Sequence, residues 1–345
     1  MRLMEQIASK KTYIIAEMSA NHGGSLSHAL EVVSAAAEAG ADCLKIQTYT
    51  ADTMTLDVDK PYFKLTKGLW AGYTRYHLYE EAYTPWEWQG EIAARCKECG
   101  IDFLSTAFDF SSVDFLESLG VEAYKIASFE LTDIPLLRYV AKCGKPMLIS
   151  TGMGTKEEIE EAVQAVREVS DCPVILLKCT SEYPAVYADM NISVIPRMQR
   201  DFGCPVGLSD HSLGSEVAVS AVTLGAAVVE KHFCISRKEK SPDAACSMEK
   251  EEFRQMTEAI RHVEAALGSG EYSLTEQEQG GRINRRSLFV RKDIRKGDLL
   301  TEENIALVRP AHGLHPRMYD EVIGKRALRD KEAGDPLTEG DYGQE

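Results

Sequence analysis

The chain has 345 residues and a formal net charge of −15, with 44% hydrophobic and 27% charged residues. That length supports one large core with an addition, or two domains. The acidic balance argues against nucleic acid as a partner, because phosphate backbones demand basic surface; any acidic ligand would need a local basic pocket.

The opening MRLMEQIASKK lacks the apolar core of a signal peptide, and no apolar run approaches a membrane span. Neither a targeting segment nor a membrane partner is therefore expected. Nine cysteines, an odd number, are scattered through expected strands and helices, which fits a reducing cytoplasm. Cys96 and Cys99 form a lone CxxC within a helical pattern, better explained as two helix-face thiols than as a metal or redox site.

The first element of note is TYIIAEMSANHGG, residues 12–24, an apolar run that ends in a carboxylate, Glu17. A carboxylate withdrawn from water is costly unless paired or employed. Seven more β-rich runs follow, giving expected strands over 13–18, 43–49, 102–108, 123–128, 146–151, 174–180, 206–210 and 228–233. Helical patterns such as LSHALEVVSAAAEAG, SSVDFLESLG and TKEEIEEAVQAVREV separate them, several ending in glycine. Continuous β-rich runs alternating with helices imply parallel strands buried on both faces. Eight such units within about 250 residues are the length of a (β/α)₈ TIM barrel. An open doubly wound sheet would be expected to carry a GxGxxG turn after its first strand, and MSANHGGS is not one.

The segment after the second strand, about 50–84, is long and aromatic (PYFKLTKGLWAGYTRYHLYEEAYTPWEW). It reads either as a functional loop or as a surface hairpin packed on the barrel rim. SGEYSLTEQEQGG reads as a linker. Beyond it, short strands and turns carry an internal echo, GDLLTE at 297–302 and GDPLTE at 334–339, which suggests a small pseudo-symmetric β-rich domain. The expected division is a barrel over 1–268, a linker over 269–284 and a small domain over 285–345.

Catalytic groups of parallel barrels sit at the C-terminal strand ends. Here those ends supply Glu17; Lys45 and Gln47; Thr106; Lys125, Ser128 and Glu130; Ser150 and Thr151; Ser181 and Tyr183; Ser209, Asp210 and His211; Lys231 and His232. One such residue could be a satisfied core group, but all eight strands ending this way favours an enzyme site. Lys45 and Lys125 with the hydroxyls make an anion cradle suited to phosphate plus carboxylate, with a Schiff-base lysine as the competing reading. His211 and His232 end neighbouring strands and suit a divalent metal acting as Lewis acid; a general-base histidine beside a structural one is the alternative. Glu17, Glu130 and Asp243 could move protons or position water.

The motifs IIAEMSANHGGSL, ADCLKIQTYT, STAFD, AYKIASFE, ISTGM, CTSEYP, LSDHSLG and EKHF, in this order, resemble the sialic acid synthase family. The resemblance spans nearly the whole chain, and the tail through VRPAHGLHP resembles that family's antifreeze-like (SAF) domain. It implies condensation of phosphoenolpyruvate with an N-acetylated amino-sugar aldose to a nonulosonic acid and phosphate. It also implies a domain-swapped homodimer in which the SAF domain of one subunit covers the other's active site. Carried over by motif, Lys45, Thr106, Lys125, Ser128, Ser150 and Ser209 match the phosphoenolpyruvate cradle. Glu17 matches a sugar-contacting carboxylate that assists proton transfer. Gln47, Tyr183 and Glu130 match groups lining the sugar and water site, and Asp243 a sugar-contacting aspartate. His211 and His232 match ligands of a divalent metal ion (Mn2+ or Mg2+). Arg309 matches an arginine offered by the other subunit's SAF domain.

Within the family, LKIQTYT, the aromatic segment and LKCTSEYP lean toward the pseudaminic acid synthase branch, whose acceptor is 2,4-diacetamido-2,4,6-trideoxy-L-altrose. Ser181 stands where the N-acetylneuraminate branch commonly has Asn. Two departures, RKEKSPDAAC before Asp243 and VRPAHG in place of a more usual RPG, leave N-acetylneuraminate, legionaminate or spore-coat-type acceptors open. From other classes, a Schiff-base aldolase using Lys125 or Lys45 and an ice- or carbohydrate-binding tail remain as readings. The dense charge of RKDIRKGD and KRALRDKE speaks against the tail reading.

Overall fold

A computed structural model describes residues 2–68, 70–239 and 241–344. Leu69 of the aromatic segment and Lys240 of the basic run before Asp243 lie outside the described residues. The chain divides into two compact units, Met1–Gly268 and Ser269–Glu345.

In the first unit, β1 (Tyr13–Glu17), β2 (Cys43–Thr48), β3 (Asp102–Ala107), β4 (Tyr124–Ile126), β5 (Met147–Ser150), β6 (Val174–Cys179), β7 (Val206–Asp210) and β8 (Val228–Cys234) pair in sequence order, all parallel. β1 also pairs with β8, Glu17 opposite His232, so the sheet closes into a TIM-type barrel. Each expected strand is present, with ends that coincide or shift by one or two residues. The largest trim is at the fourth, where the chain leaves the sheet at Ile126 and turns through a 3₁₀ segment, Ser128–Glu130.

Alternation along the strands sorts residues into two shells. Outward-facing Ile14, Ala16, Leu44 and Ile46 pack on Val32, Val33 and Ala36 of the helix Leu26–Glu38 and on Ile92 and Cys96 of the helix Trp86–Glu98. The inward set begins apolar: Tyr13, Ile15, Cys43, Leu104, Ala123, Leu148, Ile175, Leu177 and Val228 form one cluster, plugged at the N-terminal end by Leu3 of the helix Leu3–Ala8. Each fully buried aliphatic side chain of this kind stabilises the fold by about 1.5–3 kcal/mol. Two residues further along each strand the inward positions turn polar, so the apolar plug is the floor of the site and the strand ends are its walls. Helix starts are capped locally; Thr155 and Glu158, for example, form a reciprocal capping box for Lys156–Arg167.

The aromatic segment is more ordered than a loop. It holds the helix Ala51–Met54, a 3₁₀ turn Pro61–Phe63 and the helix Arg75–Ala82. Trp86 Nε1 donates to the Tyr49 carbonyl at 3.0 Å, and Tyr49 packs edge-on against Tyr79 and Phe108.

The second unit has antiparallel strands Ser287–Val290 and Ile305–Val308, and a second antiparallel pair, Arg326–Ala327 with Tyr342–Gly343. The stretch read as a linker contains a short helix, Glu276–Gly281, which Thr275 and Glu278 cap reciprocally. The sequence echo is a structural pseudo-dyad. Ile294 and Lys331 exchange backbone hydrogen bonds at 2.9 Å each way. Gly297 N donates to Ala327 O at 2.7 Å while its counterpart Gly334 N donates to Val290 O at 2.8 Å. Both glycines have positive φ (91° and 100°), a backbone region that a side chain would strain. Leu300 and Leu337, equivalent in the two repeats, are both fully buried in the unit's core.

Candidate active site

At the C-terminal mouth of the barrel a small cavity, with about 50 Å³ of room for water, is lined by Glu17, Lys45, Gln47, Thr106, Phe108, Lys125, Ala127, Ser128, Phe129, Ser150, Cys179, Tyr183, Ser209, His211, Glu230 and His232. Eleven of these were singled out from the sequence as strand-end residues. The strand-pair register explains the convergence: Glu17 lies beside Lys45 and His232, Gln47 beside Thr106, Thr106 beside Lys125, and Ser209 beside Glu230.

One side of the cavity is cationic. Lys45 Nζ is 3.0 Å from Glu17 Oε2 and 3.4 Å from Glu230 Oε1, and donates to Thr106 Oγ1 at 3.1 Å. Lys125 Nζ donates to Ser150 Oγ at 2.8 Å and stands 3.7 Å from Glu230 Oε1. Ser209 Oγ donates to the same Glu230 oxygen at 3.2 Å. Burial opposes ionisation of Glu230, but Lys125 and Lys45 outweigh it and hold this carboxyl below the ordinary range. Burial pushes Glu17 the other way, with Glu230 adding to the rise and Lys45 opposing it. Two carboxyls in one cavity are thus driven apart, one toward carboxylate and one toward acid. Burial lowers the Lys125 ammonium below its ordinary value.

The other side is aromatic. The His211 and His232 rings lie 5.4 Å apart, and the Tyr183 ring lies 4.1 Å from His211 and 5.8 Å from His232. His211 Nδ1 donates to the Thr180 carbonyl at 2.9 Å, which leaves Nε2 as the ring nitrogen not engaged in that bond. Cys179 Sγ sits 3.8 Å from the same Nδ1. His232 Nδ1 is buried with no hydrogen-bond partner among the described residues, and burial, helped by the charge of His211, holds this ring well below the ordinary histidine range. Two neutral-capable nitrogens on adjacent strand ends are a donor pair that a divalent ion could use. Among the described residues, no group of three or more His, Cys, Asp or Glu side chains is arranged around a common metal position.

The remaining expected residues lie at or beyond the rim. Asp243, buried, accepts from Ser19 Oγ at 2.5 Å, and Gln47 Nε2 donates both to Ser19 Oγ (3.0 Å) and to Glu17 Oε1 (2.9 Å). This chain ties Asp243 to the cavity through a serine that was not singled out. Burial raises the Asp243 carboxyl. Ser181 is half-buried, with Oγ 3.7 Å from Cys179 Sγ. Glu130 follows the β4 turn and does not line the cavity; burial pushes its carboxyl up to about 7, Lys125 opposing. Arg309 belongs to the second unit, exposed just beyond the strand Ile305–Val308.

Two assignments change. Lys231, expected at the mouth, faces away from it: its Nζ is 2.7 Å from Asp210 Oδ2, and both side chains are buried. Glu230 takes the inward position. Alternation back from His232 would have found it, since residues two apart share a face. Cys179, two before Ser181, was likewise overlooked.

The NeuB family model matches residues 32–272, and the SAF domain model matches residues 285–342. The chain is 45% identical to the pseudaminic acid synthase of Campylobacter jejuni (strain 81-176), over 96% of this chain and 97% of that protein. It is 40% identical to the pseudaminic acid synthase of Helicobacter pylori, over 95% and 97%. Among solved structures, the N-acetylneuraminic acid synthetase of Leptospira borgpetersenii, in complex with citrate, aligns with a TM-score of 0.71 at 31% identity, covering 78% of this chain and 90% of that one. With strand-end groups converging in a closed barrel and a match over most of its length, the chain belongs to the NeuB family and carries a C-terminal SAF domain.

Proposed function

We propose that this chain is a pseudaminic acid synthase, a transferase that condenses phosphoenolpyruvate with 2,4-diacetamido-2,4,6-trideoxy-L-altrose to give pseudaminic acid and phosphate. The observation that carries the reading is the lysine pair and its hydroxyls facing two imidazoles across one cavity, in a chain 45% identical to a pseudaminic acid synthase along nearly its full length.

In this reading Lys45 and Lys125, with Thr106, Ser128, Ser150 and Ser209, hold the phosphate and carboxylate of phosphoenolpyruvate, taking over from Glu230 as counter-ions. Tyr183, Ser181, Asp243 and Gln47 face the aldose. The enol carbon attacks the aldehyde carbon, forming the new C–C bond. Water adds at the former enol C2, and the C2–O bond to phosphate breaks, releasing inorganic phosphate. Glu17, biased toward its protonated form, supplies the proton to the new alkoxide, while Glu230, held toward carboxylate in the cavity lining, is the base available to the attacking water. His211 and His232 would hold Mn2+ or Mg2+, which when bound supplies Lewis-acid polarisation of the aldehyde.

The active form is a domain-swapped homodimer in a reducing cytoplasm, with Arg309 contributed to another copy's acceptor. Support for association comes from an apolar fringe on successive strand-to-helix connections at the mouth: Phe129, Met153, Val186, Tyr187 and Leu213 are all exposed. Support for the compartment comes from the free cysteines. No helix of the described residues is long and apolar enough to cross a membrane.

The test is phosphate release and product mass with phosphoenolpyruvate and a panel of N-acetylated aldoses, with and without chelator. The expected result is a pseudaminic acid product from the altrose and loss of activity on chelation. Turnover only with a mannose-type or other aldose, or a borohydride-trapped lysine adduct with chelator-resistant activity, overturns it.

A further inference from the structure

We propose that Trp70 is a specificity-determining residue of this site, forming the outer wall of the acceptor side and selecting aldoses with an apolar end, such as a 6-deoxy carbon. The proposal rests on the condensation reading above.

The cavity has two chemically distinct sides. Lys45 and Lys125 with Thr106 and Ser150 claim one for an anion, which leaves the uncharged acceptor to the side formed by Tyr183 and the imidazoles. Trp70 is not among the residues lining the cavity but packs on Tyr183, which is. Its ring centroid is 5.5 Å from that of Tyr183, inclined by 52°, while Tyr183 in turn leans on His211 at 4.1 Å. The indole Nε1 donates to the Pro242 carbonyl at 3.2 Å. Pro242 immediately precedes Asp243, which Ser19 links to Gln47 and the cavity. One side chain therefore bridges the two groups that border the acceptor side, Tyr183 and the turn carrying Asp243.

The placement is held by backbone. Leu65 N donates to Tyr73 O at 2.9 Å and Gly72 N to Leu65 O at 2.8 Å, so Trp70 rides a short turn closed at its base rather than a free loop. The indole is only half-buried. Its single polar atom is satisfied by Pro242, so any ligand-facing surface it presents is apolar. Aromatic faces favour C–H over O–H groups of a sugar, because a hydroxyl placed there loses water without gaining a partner. An apolar pocket discriminates by roughly 10–200-fold per methylene-sized difference, and a partial wall should give the lower end of that range.

The test compares kcat/KM for 2,4-diacetamido-2,4,6-trideoxy-L-altrose and its 6-hydroxy counterpart in the wild type, Trp70→Ala and Trp70→Phe. The expected result is a preference for the 6-deoxy sugar that falls about tenfold in Trp70→Ala and is largely kept in Trp70→Phe, with KM for phosphoenolpyruvate unchanged in both. An unchanged preference in Trp70→Ala, or an equal loss for both sugars together with a raised KM for phosphoenolpyruvate, overturns the proposal. If Trp70→Ala fails to fold, Trp70→Leu replaces it, an apolar group without the ring, and an unaltered preference again counts against Trp70. A wild type that condenses neither sugar sinks the condensation reading itself, whereas an active wild type with an indifferent Trp70 sinks only this inference.

Discussion

Lys231 Nζ lies 2.7 Å from Asp210 Oδ2 in full burial, and the chain neighbours of this pair are His232 and His211. Lys231 also donates to the Ser212 carbonyl at 2.6 Å, and Asp210 Oδ1 accepts from Ser212 N at 2.9 Å. The ion pair thus crosses from β7 to β8 on the outside of the barrel at the level where the two imidazoles meet inside it. Lys231→Met should destabilise the fold by about 3–5 kcal/mol, because it leaves the Asp210 carboxylate buried and uncompensated. Lys231→Met/Asp210→Asn should recover a large part of that loss in denaturant unfolding; a double variant as unstable as the single would show that the charge is not the cause.

Of the two lysines lining the cavity, Lys125 stands near one carboxylate, Glu230, and Lys45 near two, Glu17 and Glu230. Lys125→Met should leave Lys45 able to neutralise Glu17 and Glu230, so the fold survives while the anion loses one of its two ammonium partners. The expected loss is about 10²–10³-fold in kcat/KM for phosphoenolpyruvate. Steady-state kinetics beside a thermal melt separates this from simple unfolding.

Glu130 has its carboxyl raised to about 7, chiefly by burial. An acid whose folded-state value lies above its unfolded one is stabilising in its protonated form. Its contribution is complete below about pH 4.5 and is lost as pH rises through about 7. Relative to Glu130→Gln, the wild type should therefore lose up to about 3 kcal/mol between those limits. Paired pH series of unfolding curves check this, and parallel curves for the two proteins would contradict it.

Gly152 marks where the β5 and β6 ends crowd together. A Cβ there would stand 2.2 Å from Ser181 Oγ and 2.7 Å from Ser128 Oγ, and Gly152 N donates to Ser128 Oγ at 3.0 Å. Gly152→Ala should displace both serines and lower kcat/KM by at least about tenfold while costing about 1–3 kcal/mol of stability. Adding Ser181→Gly should restore part of the activity, which a general packing defect would not permit.

Leu300 and Leu337 occupy equivalent buried positions in the two repeats of the second unit. Truncation of either to alanine should cost a similar amount, about 2–5 kcal/mol. Strongly unequal losses in unfolding of the full chain would mean that the pseudo-dyad is one of backbone only.

The eight barrel strands were legible in the sequence because parallel strands covered on both faces must be apolar almost throughout, and the intervening helices carry their own caps and glycine stops. Most of the cavity was legible for the same reason: in an apolar run, a charged Glu17, Lys45 or Lys125 stands out. The repeat GDLLTE/GDPLTE announced the pseudo-dyad, since the same turn chemistry recurs at the same spacing.

What only the tertiary structure decided was facing and partnership. In EKHF the charged residues are adjacent, and a single strand does not declare which of Glu230 and Lys231 faces inward; closure of β8 onto β1 does, by setting Glu17 opposite His232. The aromatic segment could not be resolved into helices and a closed turn because its order comes from distant groups: the Pro242 carbonyl for Trp70 and the Tyr49 carbonyl for Trp86. Local pattern determines which residues are buried in a strand or helix, whereas which buried charges meet depends on contacts between residues far apart in the chain.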